Sequence, residues 1–251
     1  TRAKAKIAAN RIGYRVPHDH ELVERLPAVL SVVELVFTTG HHAPIGAELV
    51  RVDLIEEGLR LKERFGGTVT VITMGPPQAA EVLRTALATG ADAAILLSDR
   101  AFAGSDTLAT SYTLSQAIRK IGAVDMVITG KQAIDGDTAQ VGPGIAARLG
   151  FTQLTYVSKV ESVDPEKGTL IVERLLDGGR ERVEGVLPAL LTVVKGINVP
   201  RQPSILKMKK ARTAEIPVWN AADIEADPMQ TGQNGSPTWV ERIFSPEQKS
   251  G

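Results

Sequence analysis

From residue 53 onward, apolar and polar positions alternate between a helical period and short continuous apolar runs. In 53-DLIEEGLRLKERFGG-67, Leu54, Ile55, Leu59 and Leu61 fall near one helical face, and Gly66-Gly67 end the helix. The next run, 68-TVTVITM-74, is rich in β-branched residues and bounded by Gly75-Pro76-Pro77, which predicts a buried strand. A helix follows over 78-QAAEVLRTALATG-90, then a strand over 93-AAILLS-98. The spacing predicts another helix over 106-DTLATSYTLSQAIRKIG-122, with Asp106 as its N-cap, and a strand over 125-DMVITG-130. Strands and helices of this length in alternation predict βαβ units, a parallel sheet and right-handed crossovers.

After Gly150 the pattern changes. Residues 154-LTYVSKVESV-163 and 169-TLIVERLLDGGRERVEGV-186 alternate apolar and polar, with turns at Asp164-Pro165 and Asp177-Gly178-Gly179. This predicts an antiparallel meander whose second part is a hairpin. Residues 189-ALLTVV-194 return to a fully buried strand. From about Asn198 the chain holds six of its 14 prolines and little periodicity, and it reads as an extended arm. Before residue 50 the pattern is weaker, with one apolar segment between residues 22 and 37. The expected division is an α/β domain over 1–197 and a C-terminal segment over 198–251.

Composition narrows the function classes. The chain has 251 residues, 43% hydrophobic and 23% charged, as expected of a globular protein with a sizeable core. Its formal net charge is zero, which argues against nucleic acid as the main partner. No cysteine is present, so thiolate catalysis, Cys-ligated metal and disulfides are excluded for this chain. No apolar run is long enough to span a bilayer, and no signal-peptide core is evident, so a cytoplasmic location is expected.

The chain contains no Rossmann glycine fingerprint, no P-loop and no nucleophile elbow. All four histidines, His18, His20, His41 and His42, lie in the first 42 residues. They read as polar surface turns, and no metal site is expected. Three strand ends point the same way in a parallel sheet, so 73-TMGPP-77, 104-GSDTLATS-111 and 130-GKQAIDGDTAQVG-142 should converge on one crevice. Pro143 lacks an N–H and belongs in a first helical turn, which starts a helix at about residues 139 to 142. The amides of Ala139, Gln140, Val141 and Gly142 are then available to a phosphate without help from lysine. Asp135 and Asp137 do not make a calcium loop, because the position for the bidentate glutamate is Ala146. Helix capping by Asp137 or Thr138, or hydrogen bonding to ribose or flavin, both remain open.

Residues 130-GKQAIDGDTAQVGP-143 closely resemble the nucleotide loop of the small (beta) subunit of electron-transfer flavoproteins. Segments 56-EEGLRLKERFGG-67, 72-ITMGPPQA-79, 84-RTALATGAD-92, 97-LSDRAFAGSDTLATSY-112, 172-VERLLDGG-179, 187-LPALLTVV-194, 198-NVPRQPS-204 and 236-SPTWVERIFSP-246 resemble it in order. The resemblance implies a flavodoxin-like (adenine nucleotide alpha hydrolase-like) α/β fold. It has a mostly parallel sheet with helices on both faces, an antiparallel hairpin and an extended C-terminal arm. It also implies a heterodimer with an alpha subunit that carries the redox FAD. The beta subunit itself would hold AMP, or a second FAD in electron-bifurcating members. Electrons would come from an acyl-CoA dehydrogenase or NADH and pass to a quinone oxidoreductase or ferredoxin. By position, the cofactor contacts carried over are Met74, Gly130, Lys131, Gln132, Ala133, Ile134, Asp135, Gly136, Asp137, Thr138, Ala139, Gln140 and Val141, with Gly142 from the helix-start reading. Asp106, Thr107 and Thr110 would lie beside a second flavin. The D-G-D-T-A-Q-V-G-P and S-D-T-L-A-T-S forms look like the bifurcating branch, so FAD is expected, with AMP as the alternative.

The segment Arg201 to Arg212 resembles the family's recognition loop, which docks the dehydrogenase. Ile205 would be the apolar anchor, ringed by Lys207, Lys209, Lys210 and Arg212. The family usually has leucine in place of Ile205. Family members also open with a strand of the I-L-V-x-V-K type and carry an Asn-Pro loop before the first helix. The first 50 residues here show neither, so no site residue is carried over from them. No side chain is expected to act as nucleophile or general base, since the flavins do the chemistry. An ATP-dependent adenine-nucleotide hydrolase on the same fold is a more distant reading. Such enzymes need an S-G-G-x-D-S or H-x-G-H site, and neither occurs.

Overall fold

The computed structural model describes the backbone of residues 31–37, 45–132 and 138–239. The elements are β1 (Ser31–Phe37), α1 (Ile45–Phe65), β2 (Thr68–Met74), α2 (Ala80–Thr89), β3 (Ala93–Leu97), α3 (Thr107–Ile121), β4 (Met126–Gly130), α4 (Val141–Leu149), β5 (Thr152–Asp164), β6 (Thr169–Leu176), β7 (Gly179–Val186), β8 (Ala189–Val193), α5 (Ile205–Arg212) and β9 (Val218–Trp219). They form one mixed sheet in the order β7-β6-β5-β8-β4-β1-β2-β3-β9. All pairings from β5 through β8 to β9 are parallel, and β5-β6 and β6-β7 are antiparallel. This is the α/β architecture with an antiparallel hairpin that the periodicity and the resemblance imply.

The fully buried strands follow from their composition. Val69, Val71, Ile72, Val127, Ile128, Leu190 and Leu191 have no exposure at all, because helices cover both sheet faces. One core packs α1 and α2 against the sheet through Ile55, Leu59, Leu61, Leu83 and Ala86. The other packs α3 and α4 through Leu114, Ile118, Ile145 and Ala146. Register aligns the carboxyl ends: Phe37 pairs with Met74, Met74 with Leu97, and Gly130 with Val193. The chain moves outward to β2 and β3 on one side of β1, and β4 sits on its other side. The switch point of the sheet is therefore between β1 and β4, where ligands of such folds bind.

Three elements differ from the pattern reading. Helix α1 starts at Ile45, eight residues before the predicted start. Its residues Asp53 to Leu59 are all buried, carboxylates included, because a later segment covers the face that periodicity left polar. Strand β5 does not alternate strictly. Leu154, Val157, Val160 and Val163 are its buried positions, three apart, and register shifts separate them. Tyr156, at a φ of 59°, is the left-handed residue of the first bulge, the register shift between Leu154 and Val157 in the parallel pairing with β8. The extended arm contains α5 and the edge strand β9, which pairs Val218 with Leu96.

Polar contacts fasten the arm along α3. The Ala221 amide donates to Asp99 Oδ2 at 2.9 Å, and the Asp227 amide to the Tyr112 hydroxyl at 2.8 Å. No helix among the described residues is long and apolar enough to cross a membrane.

The first turn of α4 crosses the ends of β4 and β8 at close range. A Cβ on Gly142 would stand 2.7 Å from Thr192 Cγ2 and 2.8 Å from Thr129 Oγ1, and one on Gly144 2.8 Å from Ser111 Oγ. The substitution Gly142→Ala is expected to push α4 off the sheet and destabilise the fold by about 1–3 kcal/mol. Urea denaturation measures this; an unchanged midpoint would show that the close approach is not required.

Candidate functional site

The carboxyl edge of the sheet brings together three sequence-predicted segments. Met74 ends β2, and the following Gly75 amide donates to Leu97 O at 3.0 Å, which holds the loop against β3. Gly130 ends β4, and the Lys131 amide extends the ladder by donating to Val193 O at 3.0 Å. The Lys131 ammonium lies 4.9 Å from the centroid of the Tyr156 ring, on β5. Gln132 follows directly, and Ala133, Ile134, Asp135, Gly136 and Asp137 lie outside the described residues, as do the four histidines. Thr138 is exposed, and Ala139 takes a φ of 54° just before the helix. Among the described residues no group of three or more acidic or histidine side chains is placed to hold a metal ion.

Helices α3 and α4 both start at this edge, and they differ in one decisive respect. Asp106 caps α3: its Oδ1 accepts from the Leu108 amide at 2.9 Å and the Ala109 amide at 3.1 Å. Its Oδ2 accepts from the Thr238 amide at 3.1 Å and the Thr238 hydroxyl at 2.9 Å, and its own amide donates to Ser236 Oγ at 2.8 Å. Burial pushes the carboxyl of Asp106 up, but the donors of Ala109, Thr238 and Leu108 outweigh it and hold the group below the usual carboxylate range.

Among the described residues, helix α4 has no such cap. Gln140 occupies the N-cap position without a side-chain bond to the helix, and its Oε1 instead accepts from the Thr107 hydroxyl at 3.1 Å. The first return bond of α4 runs from the Gly144 amide to Gln140 O at 2.8 Å, and Pro143 has no N–H. The amides of Val141 and Gly142 thus precede the first intrahelical bond, at the positive end of the helix dipole. Among the described residues no side chain caps the α4 start, which leaves its amides to an anion, whereas the Asp106 carboxylate already fills the α3 start. Thr110 is buried one turn into α3.

The residues expected to dock a partner form a separate set. Ile205 is 71% exposed and Leu206 78%, with Lys207, Lys209, Lys210 and Arg212 exposed on the same short helix. Helix α5 lies against α2, on the opposite sheet face from α3 and α4. A groove of about 660 Å³ opens between α1, β5 and β6, lined by Leu61, Arg64, Lys159, Leu175 and Lys195 among others. It does not coincide with the strand-end crevice.

A family model described as "Electron transfer flavoprotein domain" matches residues 41–224. The chain belongs to the electron transfer flavoproteins, as a beta subunit. It is 52% identical over 200 residues to Protein FixA of Azotobacter vinelandii, covering 78% of this chain and 71% of that protein. It is 51% identical over 195 residues to the electron transfer flavoprotein subunit beta of Clostridium acetobutylicum, covering 78% and 74%. The same subunit of Thermoanaerobacterium thermosaccharolyticum is 52% identical over 193 residues, covering 76% and 73%. As an electron transfer flavoprotein beta subunit, the chain works with an alpha subunit and with electron-transfer partners.

Pattern reading missed Thr238, Ser236 and Asp99. They act on residues more than a hundred positions away in sequence, so no local spacing reveals them. Replacing Asp106 with Ala removes the α3 cap and is expected to lower stability by about 1 kcal/mol at neutral pH. The folded-state pKa of Asp106 is depressed, so its contribution is complete above the ordinary aspartate value, about 4. It fades as pH falls through the lower folded value. The gap between wild type and Asp106→Ala, followed by thermal melting, should shrink only in acid; a gap independent of pH would remove the carboxylate from this role.

Proposed function

We propose that this beta subunit holds a second FAD at the α4 start and takes part in flavin-based electron bifurcation. A two-electron donor, NADH or an acyl-CoA dehydrogenase, would then feed one electron to a quinone-linked acceptor and one to ferredoxin. One observation carries the reading. The Thr107–Gln140 bond of 3.1 Å joins the S-D-T-L-A-T-S segment to the D-T-A-Q-V-G-P segment, so the two bifurcating-type motifs border one crevice.

The residues present fit such a group. The uncapped amides of Val141 and Gly142 suit a diphosphate, and the absent Cβ of Gly142 keeps that turn close to the sheet. Met74, Gly130 and the residues from Lys131 to Gln140 would hold the adenosine part. A bound FAD supplies the one- and two-electron chemistry. The chain's own residues bind and orient it. Asp106 sets the position of α3 through its cap, and Thr107 and Thr110 would lie beside the flavin on the α3 side. None of these groups needs to act as nucleophile or base.

Denaturing extraction of the purified heterodimer, with flavin quantified against protein, tests the cofactor. Two FADs per heterodimer are expected. One FAD with one AMP would leave a beta subunit with a structural nucleotide and remove bifurcation.

Docking of the donor flavoprotein falls in this reading on α5. Ile205 and Leu206 form an exposed apolar tip ringed by Lys207, Lys209, Lys210 and Arg212, the composition of an interface anchor with a charged rim. Truncating such an anchor costs on the order of 2 kcal/mol. Ile205→Ala is therefore expected to slow electron transfer from the donor at least tenfold while flavin content stays normal; unchanged transfer kinetics would take the anchor away from Ile205.

A further inference from the structure

Helix α5 has a stability problem. It has eight residues, and Ala211 is the buried one. Isolated helices below roughly 12–15 residues are marginal in water, and a packed apolar face normally makes up the difference. Here Ile205, Leu206 and Met208 are 71%, 78% and 40% exposed, so the apolar residues do not anchor the helix.

Two arginines stand where a core contact would be. Arg201 precedes the Ser204 cap and lies across α1. Its Nε and Nη2 donate to Glu56 at 2.7 Å and 3.1 Å, its amide to Glu56 at 3.2 Å, and its Nη1 and Nη2 to Glu63. Glu56 is 3% exposed, so the inner end of this clamp is buried, while its outer end at Glu63 faces solvent. The approach to it is also pinned. The Gly196 amide donates to Asp53 Oδ2, Asn198 Nδ2 to Glu57 Oε2 and Arg60 Nη2 to Val199 O, at 2.9, 2.9 and 3.1 Å. At the other end, Arg84 of α2 donates from Nη1 to the carbonyls of Ala211, Arg212 and Ala214, at 3.1, 3.0 and 2.9 Å. A guanidinium on the last carbonyls satisfies orphan acceptors and opposes the negative end of the helix dipole.

We propose that Arg201 and Arg84 are positioning residues that hold α5 folded and aimed before a partner arrives. Bonds at its two ends replace burial, so its apolar residues stay free for the partner. A preformed helix spares the complex the ordering entropy that a loose segment would lose on binding. The partner it fits is a protein with an apolar pocket inside an acidic rim, matching Ile205 and Leu206 among four cations. This rests on the docking reading of α5 given above.

The test uses the holo heterodimer carrying Arg84→Gln, Arg201→Gln or both. Amide hydrogen exchange over 205–212 is expected to accelerate at least tenfold, while β4 and β8 exchange as in wild type. In steady-state assays with the donor dehydrogenase as varied substrate, KM should rise about tenfold, with the loss in KM rather than kcat. Arg201→Lys should recover part of the effect, since an ammonium cannot span two carboxylates as a guanidinium does. If Arg201→Gln fails to fold because Glu56 is left buried, the neutral pair Glu56→Gln/Arg201→Gln takes its place. Unaccelerated exchange over 205–212, or accelerated exchange with wild-type KM, overturns the proposal. Ile205→Ala in the same assay separates the two readings. If it raises KM and the arginine variants do not, the brackets alone are wrong. If it also leaves KM unchanged, α5 is not the docking element and this inference falls with that reading.

Discussion

Thr129 and Thr192 occupy the space where a side chain on residue 142 would stand, and the rest of the site depends on that exclusion. With glycine there, the first turn of α4 can rest directly on the carboxyl ends of β4 and β8. Its amides then open at the switch point of the sheet, where β1 and β4 part the chain's path. Pro143 reinforces the same geometry by fixing φ inside the turn and by removing one amide that would otherwise need a partner. The charge of Asp106 does not conflict with an anion at the α4 start. The Asp106 carboxylate is engaged on both oxygens, so its charge is directed into the α3 cap and the arm.

The two sheet faces use different means of cohesion. On the α3/α4 side, apolar burial by Leu114, Ile118 and Ile145 sets the core, and the arm joins it through Ile224 and through hydrogen bonds to Asp99, Tyr112 and Asp106. On the α1 side, carboxylates are part of the buried surface. Asp53, Glu56 and Glu57 are each under a tenth exposed. Glu56 and Glu57 are neighbours with opposite titration behaviour. Burial raises both, but the guanidinium groups of Arg201 and Arg60 bring Glu56 below its ordinary value, whereas Glu57 has mainly the Asn198 amide and stays raised. The pairing thus stabilises the charged form of Glu56 above the ordinary carboxylate range. The burial of Glu57 opposes its charge, and its contribution diminishes as pH rises through its elevated value.

Much of the fold was legible because it obeys local rules. β2, β3, β4 and β8 are continuous apolar runs between Gly and Pro, and Asp106 and Pro143 mark the starts of α3 and α4. What escaped the pattern depends on non-local partners. The polar face of α1 looks solvent-facing until Gly196 to Arg201 is laid on it. β5 alternates in sequence, yet its bulges shift the buried positions to every third residue. α5 is invisible to periodicity because it buries little beyond Ala211. In the crevice, the resemblance supplied Thr107 and Gln140 separately; their hydrogen bond required the two helix starts to be in place.

One strand links the two surfaces. β8 ends at Val193, whose carbonyl continues the ladder to Lys131, just past the end of β4. From the next residue the chain is pinned at Val194 to β5, at Gly196 and Asn198 to α1, and at Arg201 to Glu56 and Glu63. Bonds of this density over so short a path leave little freedom between the crevice and α5. Electron transfer depends steeply on separation and on productive orientation, and the protein's task in cofactor chemistry is to set both. A flexible link would let an arriving donor sample many distances. Under the proposed docking on α5, a pinned link would give a donor a single approach to the rest of the subunit, which accords with a segment so poor in apolar burial being held by so many charged and polar bonds.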